Sequence, residues 1–460
     1  MSKRSALLVV GLLLILGIGG FVASKSSWVK SWFGREAENA QEMDRLAGAT
    51  LAPPPPVSAE VGWPQWRGPL RDGRAPAGAI RTDWNANPPK QLWSAPCGGG
   101  YGSVAVVGGR LYTQDFFSGG ERVLCISAET GKLLWEYRYP ADYSPMKAGY
   151  TTGPRATPSV VGDRIYAVGA VGKFVCLEPP TDGGSPRLVW EHDLIGEFEA
   201  KVPQWGVACS PLVEGGLVIV QPGGKLGSVV AFDRETGTGK WKAGTNPPGY
   251  SSPIATTVGG VRLIYAFTGD ALLCLRAADG EIMGAYPWKT DFNANIATPI
   301  VVDDYVFISS AYNKGCALLR AVPTGDRVKL EEVYARNNRV LRTHHATAVY
   351  RDGFLYGFDG TRSTFPKCVD LRKGQDVPDW GESSEVKSGT LILADKHLIV
   401  LTERGELALI EAKPNEFNVM ANVPSGLSGG DLWALPVLVD GRLYLRGNDK
   451  IVCLDVAPAR

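Results

Sequence analysis

The sequence predicts an all-β fold, an eight-bladed β-propeller with four-stranded blades, on three observations. A phrase of two short β-rich runs around a Gly or Asp turn recurs eight times, and equivalent positions lie 41–55 residues apart. The last copy stops one strand short, and the folded region opens with a strand that lacks neighbours. Four-strand repeats of about 40–50 residues mark propeller blades.

The clearest copies are "ATPSVVGDRIYAV" from Ala156, "ATPIVVDDYVFIS" from Ala297 and "LPVLVDGRLYLRG" from Leu435, with weaker ones near Gly102, Cys209, Ser251, Ala346 and Gly389. Each begins with a small-Ser/Thr-Pro phrase, complete at Ala156, Cys209, Ser251 and Ala297 and partial in the others, and a hairpin signal such as Val161-Gly162-Asp163-Arg164. A run such as "KFVCLE" supplies the third strand, and the turn "ETGK" leads into a fourth, "LLWE". No 3.6-residue periodicity runs through the repeats, which excludes a solenoid of helix pairs. "DKIVCLDVAPAR" ends after a third strand, whereas "PKQLW", Pro89 to Trp93, is a fourth-strand phrase without a third. Joining Lys90–Ser94 to Lys450–Asp455 closes the ring and leaves no long unpaired edge between first and last blades.

Repetition also converts apparent chemistry into architecture. Cys125, in "CISAETGKLLWE", shares its register with Cys176, Cys274, Cys368 and Cys453, and with Ala231, Leu318 and Leu409 elsewhere. A position that accepts Cys, Ala or Leu is a packed apolar site. Thr130-Gly131-Lys132 is a turn whose glycine supplies positive φ. Trp93, Trp135, Trp190, Trp241 and Trp288 are placed on fourth strands, each wedged between blades. Equivalent positions in neighbouring blades are too far apart to bridge, so the eight cysteines are expected to be mostly free, buried thiols. Only Cys97, Cys209 and Cys316 lie off that register.

Ahead of the repeats, Lys3 and Arg4 precede an uncharged run from Ala6 to Ala23. As a helix it spans about 27 Å, enough for a hydrocarbon core. Residues 1–25 therefore read as an uncleaved transmembrane anchor, with a cleaved signal peptide, and hence a secreted protein, as the alternative. Residues 26–60, ending in four prolines, read as a tether, and residues 61–460 as the propeller. The expected location is the cell membrane, single-pass, with the propeller on the extracytoplasmic, periplasmic side. With 44% hydrophobic residues and a formal net charge of +1, the chain has the composition of a globular domain and no basic excess for a nucleic-acid partner.

"AETGKLLWE", "ATPSVVGDRIYAVGAVGKFVCLE" and "GWPQWRGPLRDG" (Gly62 to Gly73) together resemble the pyrroloquinoline quinone (PQQ)-like repeat superfamily, over essentially Lys90 to Asp455. The resemblance implies an eight-bladed propeller of one of two kinds. Quinoprotein alcohol and sugar dehydrogenases hold PQQ and Ca²⁺ over the channel. BamB-type envelope propellers are non-catalytic. This chain departs from both: it has no adjacent Cys-Cys pair, no Cys-x-x-Cys-His haem site, and no cysteine after the apolar run, the first being Cys97.

The residue just before each small-Ser/Thr-Pro phrase is Tyr101, Arg155, Ala208, Tyr250, Ile296, His345, Ser388 or Trp433. If the phrase leads into the innermost strand, these eight line one channel mouth. Tyr101, Arg155, Tyr250, His345 and Trp433, with nearby Trp205, Asn295, His344 and Lys387, form the candidate ligand site, suited to a planar anionic ligand. Asn293, Arg342 and Asp431 add polar capacity. His344 and His345, as strand neighbours, are expected to face opposite sides and so cannot chelate one metal. No catalytic pair or metal set stands out, and "GGGYG" at Gly98 has no following Lys-Ser/Thr and no helix to make it a phosphate loop. The expected role is an envelope binding or scaffolding module that uses one face for a protein partner or a small planar ligand, without a cofactor. The alternative is a PQQ- and Ca²⁺-dependent alcohol or sugar dehydrogenase.

Overall fold

A computed structural model describes residues 62–75, 80–150, 152–181, 183–337, 340–361, 363–381, 385–428 and 430–458. The expected membrane segment and tether lie outside the described residues. No described helix is long and apolar enough to cross a membrane. Thr50–Arg460 clusters as one compact unit, and its described part is a ring of eight antiparallel sheets.

In blade 1, Ala105–Val107, Arg110–Phe117, Gly120–Ser127 and Leu133–Pro140 follow one another from the channel outward. First strands of neighbouring blades touch, which puts them around the axis. Blade 8 is completed from the other end of the chain. Lys90–Pro96 pairs with Lys450–Asp455, Trp93 opposite Cys453 and Lys90 opposite Asp455. The ring therefore closes where the sequence places the joint.

The recurring cysteine has a packing reason. Cross-strand pairing sets Tyr112, Cys125 and Trp135 side by side, and likewise Tyr166, Cys176 and Trp190, and Tyr444, Cys453 and Trp93. The flanking rings stand 5.9–6.0 Å apart in these blades, leaving room for a small polarizable side chain between them. In blade 7 a smaller outer residue accompanies a larger middle one: Ile399, Leu409 and Ala421 make the same row. All eight thiols are free, and seven are buried.

Three of the fourth-strand tryptophans dock on a turn of the next blade. The indole N–H groups of Trp93, Trp190 and Trp241 each donate to a turn carbonyl, that of Ala128, Arg234 or Ala277, at 3.1 Å. The glycine three residues on lies under the ring with φ of 73°. A Cβ at Gly237 would sit 2.7 Å from Trp190. Gly237→Ala is therefore expected to cost about 2 kcal/mol through strain and overpacking, visible as a lowered urea midpoint. Trp288 departs from the expected pattern. It lies just beyond the strand Ile282–Pro287 and donates to Ser310 Oγ at 3.1 Å. Gly284 occupies the docking register there, opposite Cys274, and the backbone of Val328 in the next blade fills the space beside it.

The small-Ser/Thr-Pro phrase is a staple around the axis. The N–H groups of Ser103, Thr157, Ser210 and Thr298 donate to the hydroxyls of Thr157, Ser210, Ser252 and Thr347 in the following blades, at 2.9–3.0 Å. The sheet stack is thus sealed by hydrogen bonds that a Ser or Thr hydroxyl at this place accepts.

The segment Gly62–Ala75, read from sequence only as the opening of the propeller, forms a finger inside the channel. Gly62 and Trp63 pair with Val107 and Val106, and Arg74 bridges to Leu393 near the end of another innermost strand. The finger therefore enters and leaves on the side of the hairpin turns. Two buried arginines pin it. Arg67 donates to the carbonyls of Thr347 at 3.0 Å, Ala348 at 2.8 Å and Asp72 at 2.7 Å. Arg71 donates to those of Pro211 at 2.9 Å and Ser210 at 3.0 Å. Burial pulls both guanidinium pKa values down to about 10, so both remain charged at neutral pH.

Candidate functional site

Opposite the hairpin turns, the channel widens into a cavity of about 390 Å³, within the size range of ligand pockets. All eight residues preceding the small-Ser/Thr-Pro phrases line it. They converge because each precedes an innermost strand, and eight such strands surround one axis. Trp66, at the tip of the finger, lines the cavity as well and donates to Thr298 Oγ1 at 2.9 Å. One end of the channel is thereby filled by the chain itself.

An aromatic arc runs along the wall. The Arg155 guanidinium lies 5.1 Å from the Tyr101 ring centre, Tyr101 stacks on Trp433 at 4.6 Å, and His345 packs against Trp433 at 3.9 Å. His344 stacks on His345 at 3.8 Å and is hydrogen-bonded through Nε2 to the Tyr312 hydroxyl at 3.1 Å. Tyr312 faces Trp205 at 6.3 Å. The two histidines do not face opposite sides, as a strand would require. They sit in a bend before Val349–Arg351, and both rings line the cavity.

Burial pushes the His344 pKa down from 6.5 to about 4, and burial with His344 alongside pushes His345 well below its usual value. Both imidazoles are neutral at pH 7. Between the unfolded value and about 4, the unfolded chain binds protons that the folded chain refuses. The stability contributed is complete above pH 6.5 and is lost as pH falls through the folded value. Glu403, whose carboxyl is pushed up by burial, acts in the opposite sense. Only a comparison with a variant isolates the histidine. Relative to His344→Gln, the wild type is expected to lose up to about 1 kcal/mol per pH unit on acidification toward pH 5, read from paired urea melts.

The charges are segregated. Arg155, in the loop ahead of blade 2, brings the one guanidinium in the lining, and its outer nitrogens already donate to the carbonyls of Gly153 and Tyr150. Glu403 and Asp431 bring carboxylates from blade 7 and the loop into blade 8, and Glu403 Oε1 accepts from Trp433 Nε1 at 2.7 Å. Among the described residues no group of three or more His, Cys, Asp or Glu is placed to hold a metal.

Tyr101, Arg155, Trp205, Tyr250, His344, His345 and Trp433 are brought together in the cavity. Asn295 is not. It is fully buried, donating to the carbonyls of Thr268 and Trp288 and accepting from Thr290 and Ser310, so its amide is used up in the fold. Lys387 lies outside the lining, 5.9 Å from the Phe365 ring centre. Tyr150, Tyr312, Thr361, Glu403 and Trp66 belong to the cavity without having been anticipated. Tyr312, Thr361 and Glu403 occupy turns between second and third strands, which share the face of the lead-in residues. That equivalence is the signal by which they were findable.

Two turns that meet at Trp205 carry backbone strain. Phe292 and Asn293 have φ of 61° and 55°, and Tyr312 and Asn313 have φ of 54° and 60°. A left-handed backbone costs a bulky L residue about 1–2 kcal/mol.

The family profile described as outer membrane protein assembly factor BamB matches residues 78–148 and 141–365, more than half of the chain. The chain belongs to this family. Among solved structures, this BamB-family propeller is similar to BamB from Moraxella catarrhalis, with 14% identity, a TM-score of 0.55, and 81% of this chain and 99% of that one covered. It is also similar to the quinohemoprotein alcohol dehydrogenase from Comamonas testosteroni, with 14% identity, a TM-score of 0.58, and 93% and 85% covered. These likenesses concern the fold. A curated relative, the dehydrogenase subunit of a quinone alcohol dehydrogenase from Komagataeibacter europaeus, is 29% identical over 174 residues, 36% of this chain and 22% of that protein. The chain thus matches about a fifth of that relative's length.

Proposed function

We propose that this BamB-family propeller is a non-catalytic binding module of the bacterial cell envelope, held at the membrane by its N-terminal segment with the propeller on the extracytoplasmic side. Its channel-mouth cavity takes a planar group, from a small ligand or from a partner protein's aromatic side chain. The observation that carries this reading is the convergence of eight lead-in residues and the Arg155–Tyr101–Trp433–His345–His344 stack on one cavity backed by Trp66.

The second reading, a quinoprotein dehydrogenase, is favoured by the local similarity to the quinone alcohol dehydrogenase subunit. Its cofactor pair does not fit the residues present. PQQ is a planar tricarboxylate, and Ca²⁺ takes about 6–8 oxygen ligands, several of them carboxylates. The cavity sets one guanidinium, already engaged by two carbonyls, against two carboxylates, and no metal-holding cluster accompanies them among the described residues. Charge balance opposes the tricarboxylate, and ligand number opposes the ion.

The test is a titration with three planar probes of different charge, naphthalene-2-carboxylate, naphthalene-2-carboxamide and 2-naphthylmethylamine, followed by calorimetry. Saturable binding of at least one probe, weakened about tenfold by Trp433→Ala, is expected. No saturable binding of any of them at millimolar concentration, or binding that Trp433→Ala leaves unchanged, overturns the reading.

A further inference from the structure

We infer that Trp205, Phe292 and Tyr312 form a three-ring clamp at the cavity rim that grips the flat aromatic part of the ligand and donates the Trp205 indole N–H to an acceptor on it. This rests on the reading of the cavity as a binding site and adds what part of the ligand is held, and where.

Fourteen non-glycine residues have positive φ among the described residues, and only two are aromatic, Phe292 and Tyr312. They come from different turns, Asp291–Asn293 ahead of blade 5 and the turn after Tyr305–Ser310 within it. Yet they meet at one place. Their ring centres are 5.9 Å apart, and each lies against Trp205, at 5.8 Å for Phe292 and 6.3 Å for Tyr312. Strained residues that persist cluster at ligand clamps. Burial is not what offsets the strain at Phe292, whose side chain remains 62% exposed.

The geometry suits a flat group. Trp205 and Tyr312 are nearly parallel, 22° apart, but at 6.3 Å they are more widely spaced than the Tyr101–Trp433 stack at 4.6 Å. A ring between them needs two van der Waals gaps, about 7 Å in all, so the two rings, with centres 6.3 Å apart, must part to admit one. Phe292 stands edge-on to both, at 65° and 68°, and closes the side. The Trp205 Nε1 atom is shielded from solvent and has no acceptor among the described residues. The indole N–H groups of Trp63, Trp84 and Trp135 are likewise without an acceptor among the described residues, but of the four only Trp205 lines the cavity, where an acceptor on the ligand satisfies it.

The experiment uses the full chain and naphthalene-2-carboxamide, with its saturated analogue decahydronaphthalene-2-carboxamide as the non-planar control. The flat probe is expected to bind at least about tenfold more tightly than the saturated one. Phe292→Asn and Tyr312→Asn keep a residue that tolerates the left-handed backbone. Each is expected to weaken the flat probe about tenfold while leaving the melting temperature unchanged or raised. Equal binding of the two probes, or full affinity in Phe292→Asn, overturns the clamp. If affinity is then still lost in Trp433→Ala, the binding reading stands and only the clamp falls. If no probe binds at all, the binding reading falls and the clamp with it.

Discussion

Arg67→Ala is expected to lower the unfolding free energy by about 3–5 kcal/mol, measured as a shift of the urea midpoint. The substitution strips donors from the carbonyls of Thr347, Ala348 and Asp72, all at a site where Arg67 is 1% exposed. Arg67→Lys is expected to rescue little, because a single ammonium cannot span acceptors that the planar guanidinium reaches at once. Trp66 sits one residue away at the tip of the same finger, so loss of the pin also loosens the back wall of the cavity. Probe binding should weaken together with stability. An Arg67→Ala protein of wild-type stability would mean that the finger is a passenger in the channel.

Ending the chain after Gly447 is expected to abolish folding altogether. The deleted stretch holds the third strand of blade 8, in which Ile451, Val452 and Cys453 are fully buried and Leu454 is 3% exposed, followed by fully buried Val456. At about 1.5–3 kcal/mol for each buried side chain, these five residues approach the whole stability of a typical domain. Lys90–Pro96 would lose its only described strand partner, and blades 7 and 1 would face an incomplete sheet. Circular dichroism and gel filtration check this. A compact, cooperatively melting truncated protein would contradict closure through this strand.

The blade count, the closing joint and the free thiols were legible because each repeats or completes a pattern that sequence alone displays. The register Tyr166-Cys176-Trp190 is visible as spacing before it is seen as packing. The cavity was legible for the same reason, since eight equivalent positions ahead of eight innermost strands must surround the axis. Part of what escaped has no internal counterpart. The Gly62–Ala75 finger occurs once, and its partners Val107, Thr347, Ser210 and Leu393 are scattered along the chain. Asn295 lies next to the lining residue Ile296, but its amide turns inward because Thr268, Trp288, Thr290 and Ser310 satisfy it there. Polarity near a channel mouth does not reveal which way a side chain points. His344 and His345 both reach the cavity because the backbone bends where a strand was expected.

Reconstitution with PQQ and Ca²⁺, followed by dye reduction with alcohols and aldoses, separates a binding propeller from a dehydrogenase most directly. A cavity with one engaged guanidinium and two carboxylates is expected to give no turnover above the protein-free background. Turnover that appears with the cofactor pair and vanishes in Arg155→Ala or His345→Ala would contradict the non-catalytic reading.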